Sequence, residues 1–203
     1  DSVASRGLGD VYKRQGSSGL GLATAKKLAK HGMNICIVHR NSRCQLKQIN
    51  KDFKEIASNS VDFISYNTDA FISKKRNELI ENFEKVLDGG KVKTLVHSVA
   101  KGNLKPMVSD GTPILQKDDF ELTIQTMGIS LYDWVKAVFE AKLFSKDARV
   151  VSFTSEGNKK AWRNYAAVSA AKVTLEAITR NIALEFARFG IRANCIQAGV
   201  SDT

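Results

Sequence analysis

Apolar residues in this chain gather into short runs of strand length, separated by longer stretches in which they recur at helical spacing. Residues 33–38, 61–66, 91–97, 148–154 and 193–197 read as strands. Residues 22–31, 74–87, 120–143 and 165–189 read as helices, the first stopped by Gly32. Strands alternating with helices predict an α/β domain, a doubly wound parallel sheet with helices on both faces and a ligand held outside the strands' carboxyl ends. Asn67, His97, Ser155 and Gly199 each follow a strand, so they should converge on one edge. The stretch 102–116, holding Pro106 and Pro113, reads as a loop able to overlie a substrate.

Two groups of residues carry chemistry. Gly16-Ser17-Ser18-Gly19-Leu20-Gly21 opens into the first helix, and the apolar strand 33–38 follows. Glycines there let the backbone approach a ligand, and the first amides of the helix can hold a pyrophosphate, so turn, helix and strand form half of a dinucleotide-binding unit. Tyr165 and Lys172 lie seven residues apart at the head of the helix 165–189. At about 3.6 residues per turn that offset returns both side chains to nearly one face. An ammonium there stabilises a phenolate and makes the phenol a usable proton donor near neutrality. Taken alone, a tyrosine and a lysine at this offset usually mean a ring packed on a core and a solvated amine.

The glycine turn, the run Thr94-Leu95-Val96-His97 leading into Ser98-Val99-Ala100, the strand 148–155, the Tyr165/Lys172 pair and the run from Ile191 to Gly199 occur in an order that resembles the short-chain dehydrogenase/reductase family. The likeness extends over about residues 16–203 and implies a Rossmann-type fold. The commoner branch places its lysine four residues after the tyrosine, where this chain has Ser169. The longer gap resembles the enoyl-acyl-carrier-protein reductase branch, as do Val96-His97-Ser98-Val99-Ala100 in place of an Asn-Asn-Ala-Gly run and Gln197-Ala198-Gly199 in place of Pro-Gly. Two positions depart from that picture. Ser155 stands where the best-known enoyl reductases carry a second tyrosine, a departure shared with the NADPH-using variant, and Gly128 stands where the commoner reductases carry an active-site asparagine.

The resemblance implies NADPH-dependent reduction of the double bond of an enoyl thioester on acyl-carrier protein, in fatty-acid synthesis, by a homo-oligomer such as a tetramer or dimer. Tyr165 would stabilise or protonate the enolate, and Lys172 would bond the nicotinamide ribose. Ser155 is either a second donor to the oxygen or a plain strand-end serine. Gly16, Ser17, Ser18, Gly19, Leu20 and Gly21 would hold the pyrophosphate, Asn67-Thr68 would meet the adenine, Ser98, Val99 and Ala100 would back the nicotinamide, and Gly199 and Thr203 would touch the cofactor. The end of the strand 33–38 reads His39-Arg40-Asn41-Ser42-Arg43, with no carboxylate for a ribose 2′-hydroxyl. Arg40 and Arg43 either solvate a loop or meet a 2′-phosphate, which favours NADPH over NADH. A carbonyl reductase acting on a 3-oxoacyl thioester or other ketone, and a catalytically silent NADP(H)-binding regulator, remain open.

Composition narrows the setting. The 203 residues suit one domain, and 43% apolar content supports a core. No apolar run approaches the ~20 residues of a membrane span, and no signal peptide is visible. Cys36, Cys44 and Cys195 lack a metal-ligand or redox spacing, so no metal site is expected and a reducing cytoplasm fits. The net charge of +10 is scattered over helices without interleaved aromatics, which argues against nucleic acid and for acidic partners. Residues 1–15 lack an apolar strand pattern and look like a non-native leader, so the domain is expected over 16–203 without its native first strand. Because the chain stops just past the run 193–197, the last strand and most of the substrate-covering region are expected to be missing.

Overall fold

Every neighbouring pair of strands is parallel, so each connection must cross from one edge of the sheet to the other and a helix covers a face at each crossing. The computed structural model describes residues 5–12 and 18–199. Its strands are β1 (Ser5–Tyr12), β2 (Asn34–His39), β3 (Phe63–Asn67), β4 (Lys91–Val99), β5 (Phe144–Ser155) and β6 (Ile191–Ala198), in the order β3-β2-β1-β4-β5-β6. The helices are α1 (Ser18–Lys30), α2 (Arg43–Ala57), α3 (Ser73–Leu87), α4 (Lys117–Ile124), α5 (Ser130–Glu140) and α6 (Ala166–Glu185). This is the Rossmann-type doubly wound sheet expected from the sequence.

Alternation along β2 shows how the layers are built. Ile35 and Ile37 pack with Ala25, Ala29 and Ile56 beneath α1 and α2, whereas Val38 faces the opposite layer with Leu79, Phe83, Trp134, Val138 and Leu175 of α3, α5 and α6. A strand covered on both faces reads as a continuous apolar run, which is why 33–38 was legible.

In three places the backbone departs from the sequence expectation. Residues 1–15 were expected to supply no strand; instead Ser5–Tyr12 occupies the central position, with Leu8 opposite Cys36 on one side and Leu95 on the other. A ladder is made by main-chain amides and carbonyls, which every non-proline residue carries, so a segment without apolar alternation can complete it. The helix α2 was not expected, although Leu46, Ile49, Phe53 and Ile56 recur at helical spacing in its sequence. The single helix expected over 120–143 is instead α4 and α5 joined by a π-helical turn, Gln125–Ile129. Among the described residues no helix is long and apolar enough to cross a membrane.

The side chain of Leu175 is fully buried where α6 meets the sheet. Leu175→Ala should therefore cost about 2–5 kcal/mol of stability, read as a lowered urea midpoint at unchanged slope.

Candidate functional site

Three polar side chains of α6 are tied to consecutive residues near the carboxyl end of β5. Ser152 Oγ lies 3.1 Å from Thr179 Oγ1, Lys172 Nζ donates to the Phe153 carbonyl at 2.7 Å, and Thr154 Oγ1 donates to Glu176 Oε1 at 2.7 Å. The Asn158 amide also donates to Glu176. Lys172, Glu176 and Thr179 follow one another at helical spacing, so a single stripe of α6 faces the strand. The Lys172 side chain is buried, and burial lowers its ammonium to about 8 from the ordinary 10.5, against the pull of charges that include Glu176. An ammonium has three donors, and one is spent on Phe153. The others suit ligand hydroxyls, such as those of a ribose.

Tyr165 does not reach this site by helical periodicity. It precedes α6, with φ −107° and ψ 1°, after Asn164 in the left-handed region at φ 63°. Its ring is set by packing instead. It meets Trp162 edge to face at 5.1 Å, and it rests against Gly157, where a Cβ would lie 2.3 Å from Tyr165 Cε1. Only glycine leaves room for the ring there. Ser169 Oγ donates to the Gly157 carbonyl at 2.5 Å, and Ser169 N donates to the Tyr165 carbonyl at 2.8 Å, fixing the segment to α6. The Tyr165 hydroxyl ends 3.1 Å from Ser155 Oγ, so two hydroxyls stand at one point beyond the edge of the sheet. Val99 packs in the same small apolar cluster as Tyr165, together with Met127, Val168 and Ala171.

Behind this pair, buried His97 shares a hydrogen bond of 2.7 Å with Ser130 Oγ, which in turn donates to the Thr126 carbonyl at 2.6 Å. Thr126 Oγ1 donates to the Lys101 carbonyl at 2.7 Å. The π-helical turn is thereby pinned to β4 and to the start of the loop after it. Burial, and secondarily the Lys172 cation, lowers His97 to about 3, so its imidazole is neutral at physiological pH. Gly128 in this turn lies against α6, and a Cβ there would approach Thr174 Cγ2 at 3.0 Å and the Ala171 carbonyl at 3.1 Å. An asparagine at this position would require its neighbours on α6 to give by a few tenths of an ångström. The loop expected over 102–116 is anchored by Asp119, which accepts from Asn103 Nδ2 at 2.6 Å, Lys105 Nζ at 2.9 Å and Gln116 N at 2.9 Å.

At the far side of the same edge, Arg40 pairs with Asp69, and Asn67 Oδ1 accepts from Asn41 N at 2.9 Å. Thr68 N donates to the His39 carbonyl at 2.8 Å, so the ends of β2 and β3 are locked together. The structure starts α1 at Ser18, so Gly19, Leu20 and Gly21 are in its first turn rather than in the preceding loop. Their amides belong to the helix end that can receive an anion. Ser98 ends within β4, Ala100 follows it, and Gly199 follows β6 with open space where a Cβ would be. Gly16, Ser17 and Thr203 lie outside the described residues, as does the side chain of Arg43.

The family model described as Enoyl-(Acyl carrier protein) reductase matches residues 15–203. The chain is 28% identical over 184 residues to an enoyl-acyl-carrier-protein reductase (NADH) of Rhizobium meliloti, covering 86% of this chain and 62% of that protein. It is 26% identical over 182 residues to an enoyl-acyl-carrier-protein reductase (NADPH) of Staphylococcus aureus, covering 89% of this chain and 67% of that protein. It thus spans about two thirds of the length of these curated relatives. A solved dehydrogenase/reductase from Sinorhizobium meliloti superposes with a TM-score of 0.82 at 19% identity, covering 98% of this chain and 73% of that one, a likeness that speaks for the fold.

Because the folded ammonium of Lys172 loses its proton at lower pH than an exposed lysine, the unfolded chain holds the extra proton between about 8 and 10.5. Stability contributed through this group therefore rises with pH across that window. Lys172→Met should remove a rise of roughly 3 kcal/mol, seen as the difference between wild-type and variant urea midpoints across a pH series.

Proposed function

We propose, from the premise that this chain belongs to the short-chain dehydrogenase/reductase family and falls under its enoyl-(acyl carrier protein) reductase model, that it reduces the 2,3 double bond of enoyl thioesters carried on acyl-carrier protein, using NADPH. The observation that carries this reading is the pair of hydroxyls, Tyr165 Oη and Ser155 Oγ, 3.1 Å apart at the end of β5, the strand whose Phe153 carbonyl holds the buried ammonium of Lys172. Two donors at one point suit a single oxygen that gains negative charge.

A bound nicotinamide cofactor supplies the hydride that adds to the β-carbon of the thioester. Tyr165 holds the thioester oxygen as it becomes an enolate oxygen and gives up its phenolic proton there, while Ser155 donates a second hydrogen bond. Lys172 stabilises the resulting phenolate and offers its remaining donors to the ribose. Val99 and Ala100, with Ser98, back the nicotinamide. The amides of Ser18 to Gly21 meet the pyrophosphate, and Asn67 and Thr68 border the adenine. Arg40, now neutralised by Asp69, turns to the 2′-phosphate. The anchored loop after β4 would border the acyl group. The charge of +10 favours an acidic carrier protein in a reducing cytoplasm, and a homo-oligomer would be the working assembly.

The same hydroxyl pair would also serve a ketone oxygen, so reduction of a 3-oxoacyl thioester is the second reading.

Tyr165→Phe is expected to lower kcat with NADPH and a 2-enoyl thioester by about 10² or more, leaving NADPH affinity within about twofold. Unchanged kcat would remove Tyr165 from the chemistry. Arg40→Ala should weaken NADPH binding by about tenfold or more and leave NADH binding unchanged, because one charge-assisted contact to the 2′-phosphate is lost. Equal losses for both cofactors in a titration would contradict that role.

A further inference from the structure

Glu176 is the carboxylate on the stripe of α6 that faces β5, and the reduction described above gives it no part. Its Oε1 accepts from Thr154 Oγ1 at 2.7 Å, one residue before Ser155, and also from the Asn158 amide. Asn158 closes the short helical turn Glu156–Asn158, in which Gly157 lies against the Tyr165 ring and accepts from Ser169 Oγ. The Asn158 Oδ1 is buried without a hydrogen-bond partner among the described residues, which is costly. A donor bond to a carboxylate, stronger than one to a neutral acceptor, offsets that cost and holds the turn. One carboxylate oxygen therefore joins the strand that carries Ser155 to the turn that supports Tyr165.

The same carboxylate lies one helical turn beyond Lys172. It is turned to Thr154 and Asn158 while the ammonium donates to Phe153, so the two charges act on each other through space. Among the described residues, Cys195 of β6 and Glu176 are the groups whose negative charge would favour the ammonium. Burial pushes the Cys195 thiol above its ordinary 9.0, so near neutrality it is uncharged and Glu176 is the anion that remains. His97 of β4, the other titratable group coupled to this ammonium, is neutral there. We propose that Glu176 is a positioning residue of the reductase site: through Thr154 and Asn158 it holds the supports of Ser155 and Tyr165 together, and its charge sustains the ammonium of Lys172. The inference rests on the reductase reading for the roles of those three residues.

The test is a pH titration by NMR of the 203-residue chain carrying lysine enriched in carbon-13 at Cε, with the Lys172 signal identified by its loss in Lys172→Met. Glu176→Gln keeps an acceptor for Thr154 and Asn158 but removes the charge, and it should move the Lys172 titration to lower pH by about half a pH unit or more. Glu176→Ala, which removes the acceptor as well, should move that titration in the same direction and also shift the Gly157 amide signal, which Glu176→Gln leaves close to its wild-type position. With NADPH and a 2-enoyl thioester, the fall of kcat at high pH should move down in Glu176→Gln together with the Lys172 titration. A Lys172 titration unchanged in Glu176→Gln, or a Gly157 amide unmoved in Glu176→Ala, would overturn the proposal. Absence of turnover in the wild-type chain would instead remove the reductase reading, while the two NMR signals still decide what Glu176 does to Lys172 and to the turn.

Discussion

The seam between α6 and β5 is the contact on which the candidate site depends. Leu175 and Ala171 bury the apolar part of that seam, while Thr179, Glu176 and Lys172 bond in turn near Ser152, Thr154 and Phe153. A helix held at three successive residues of a strand has little freedom to slide or rotate. The ammonium is therefore held at a fixed point by the Phe153 carbonyl, two residues before Ser155, whose hydroxyl meets that of Tyr165. The cost is a desolvated cation, visible in the lowered value of about 8 for Lys172. A bound anion or a developing phenolate would recover part of that cost, which is why such a group suits a catalytic edge better than a structural interior.

The hydrophobic pattern disclosed more of the fold than of the site. β2 was legible because both its faces are covered, and α6 because its apolar stripe is long. β1 was not, since its pairing rests on the main chain and leaves no apolar signature. The π-helical turn was hidden because the helical pattern runs across it; the tertiary bonds of Thr126 and Ser130 to the loop and to His97 mark it only in three dimensions. For the site, the sequence singled out Tyr165, Lys172 and Ser155 as candidates, yet the helical-offset argument that joined the first two does not describe how Tyr165 is placed, because it precedes α6. Tyr165 is placed by Gly157 and Trp162, residues that no spacing rule singled out. The glycine beside the tyrosine was the available signal: a small residue close in sequence to an aromatic that must lie flat on the chain.

Gly128 bears on the chemistry in a way the sequence could not decide. Its closeness to Thr174 and Ala171 shows that the position serves helix packing, where a larger side chain would require α6 to give way slightly. Nearby, neutral His97 is fixed to Ser130 and buried beside the Lys172 cation. The His97–Ser130 pair thus stands as a neutral, hydrogen-bonded partner to the buried Lys172. Near the ends of β2 and β3 the half-exposed Arg40 is paired with Asp69, across the sheet from the Ser155–Tyr165 hydroxyls.

The central claim is the substrate, and it is tested most directly by following NADPH absorbance with this chain against a 2-enoyl thioester and a 3-oxoacyl thioester in parallel. The account expects oxidation with the enoyl substrate and little with the oxo substrate. Oxidation confined to the oxo substrate would contradict it and assign the Ser155–Tyr165 pair to carbonyl reduction.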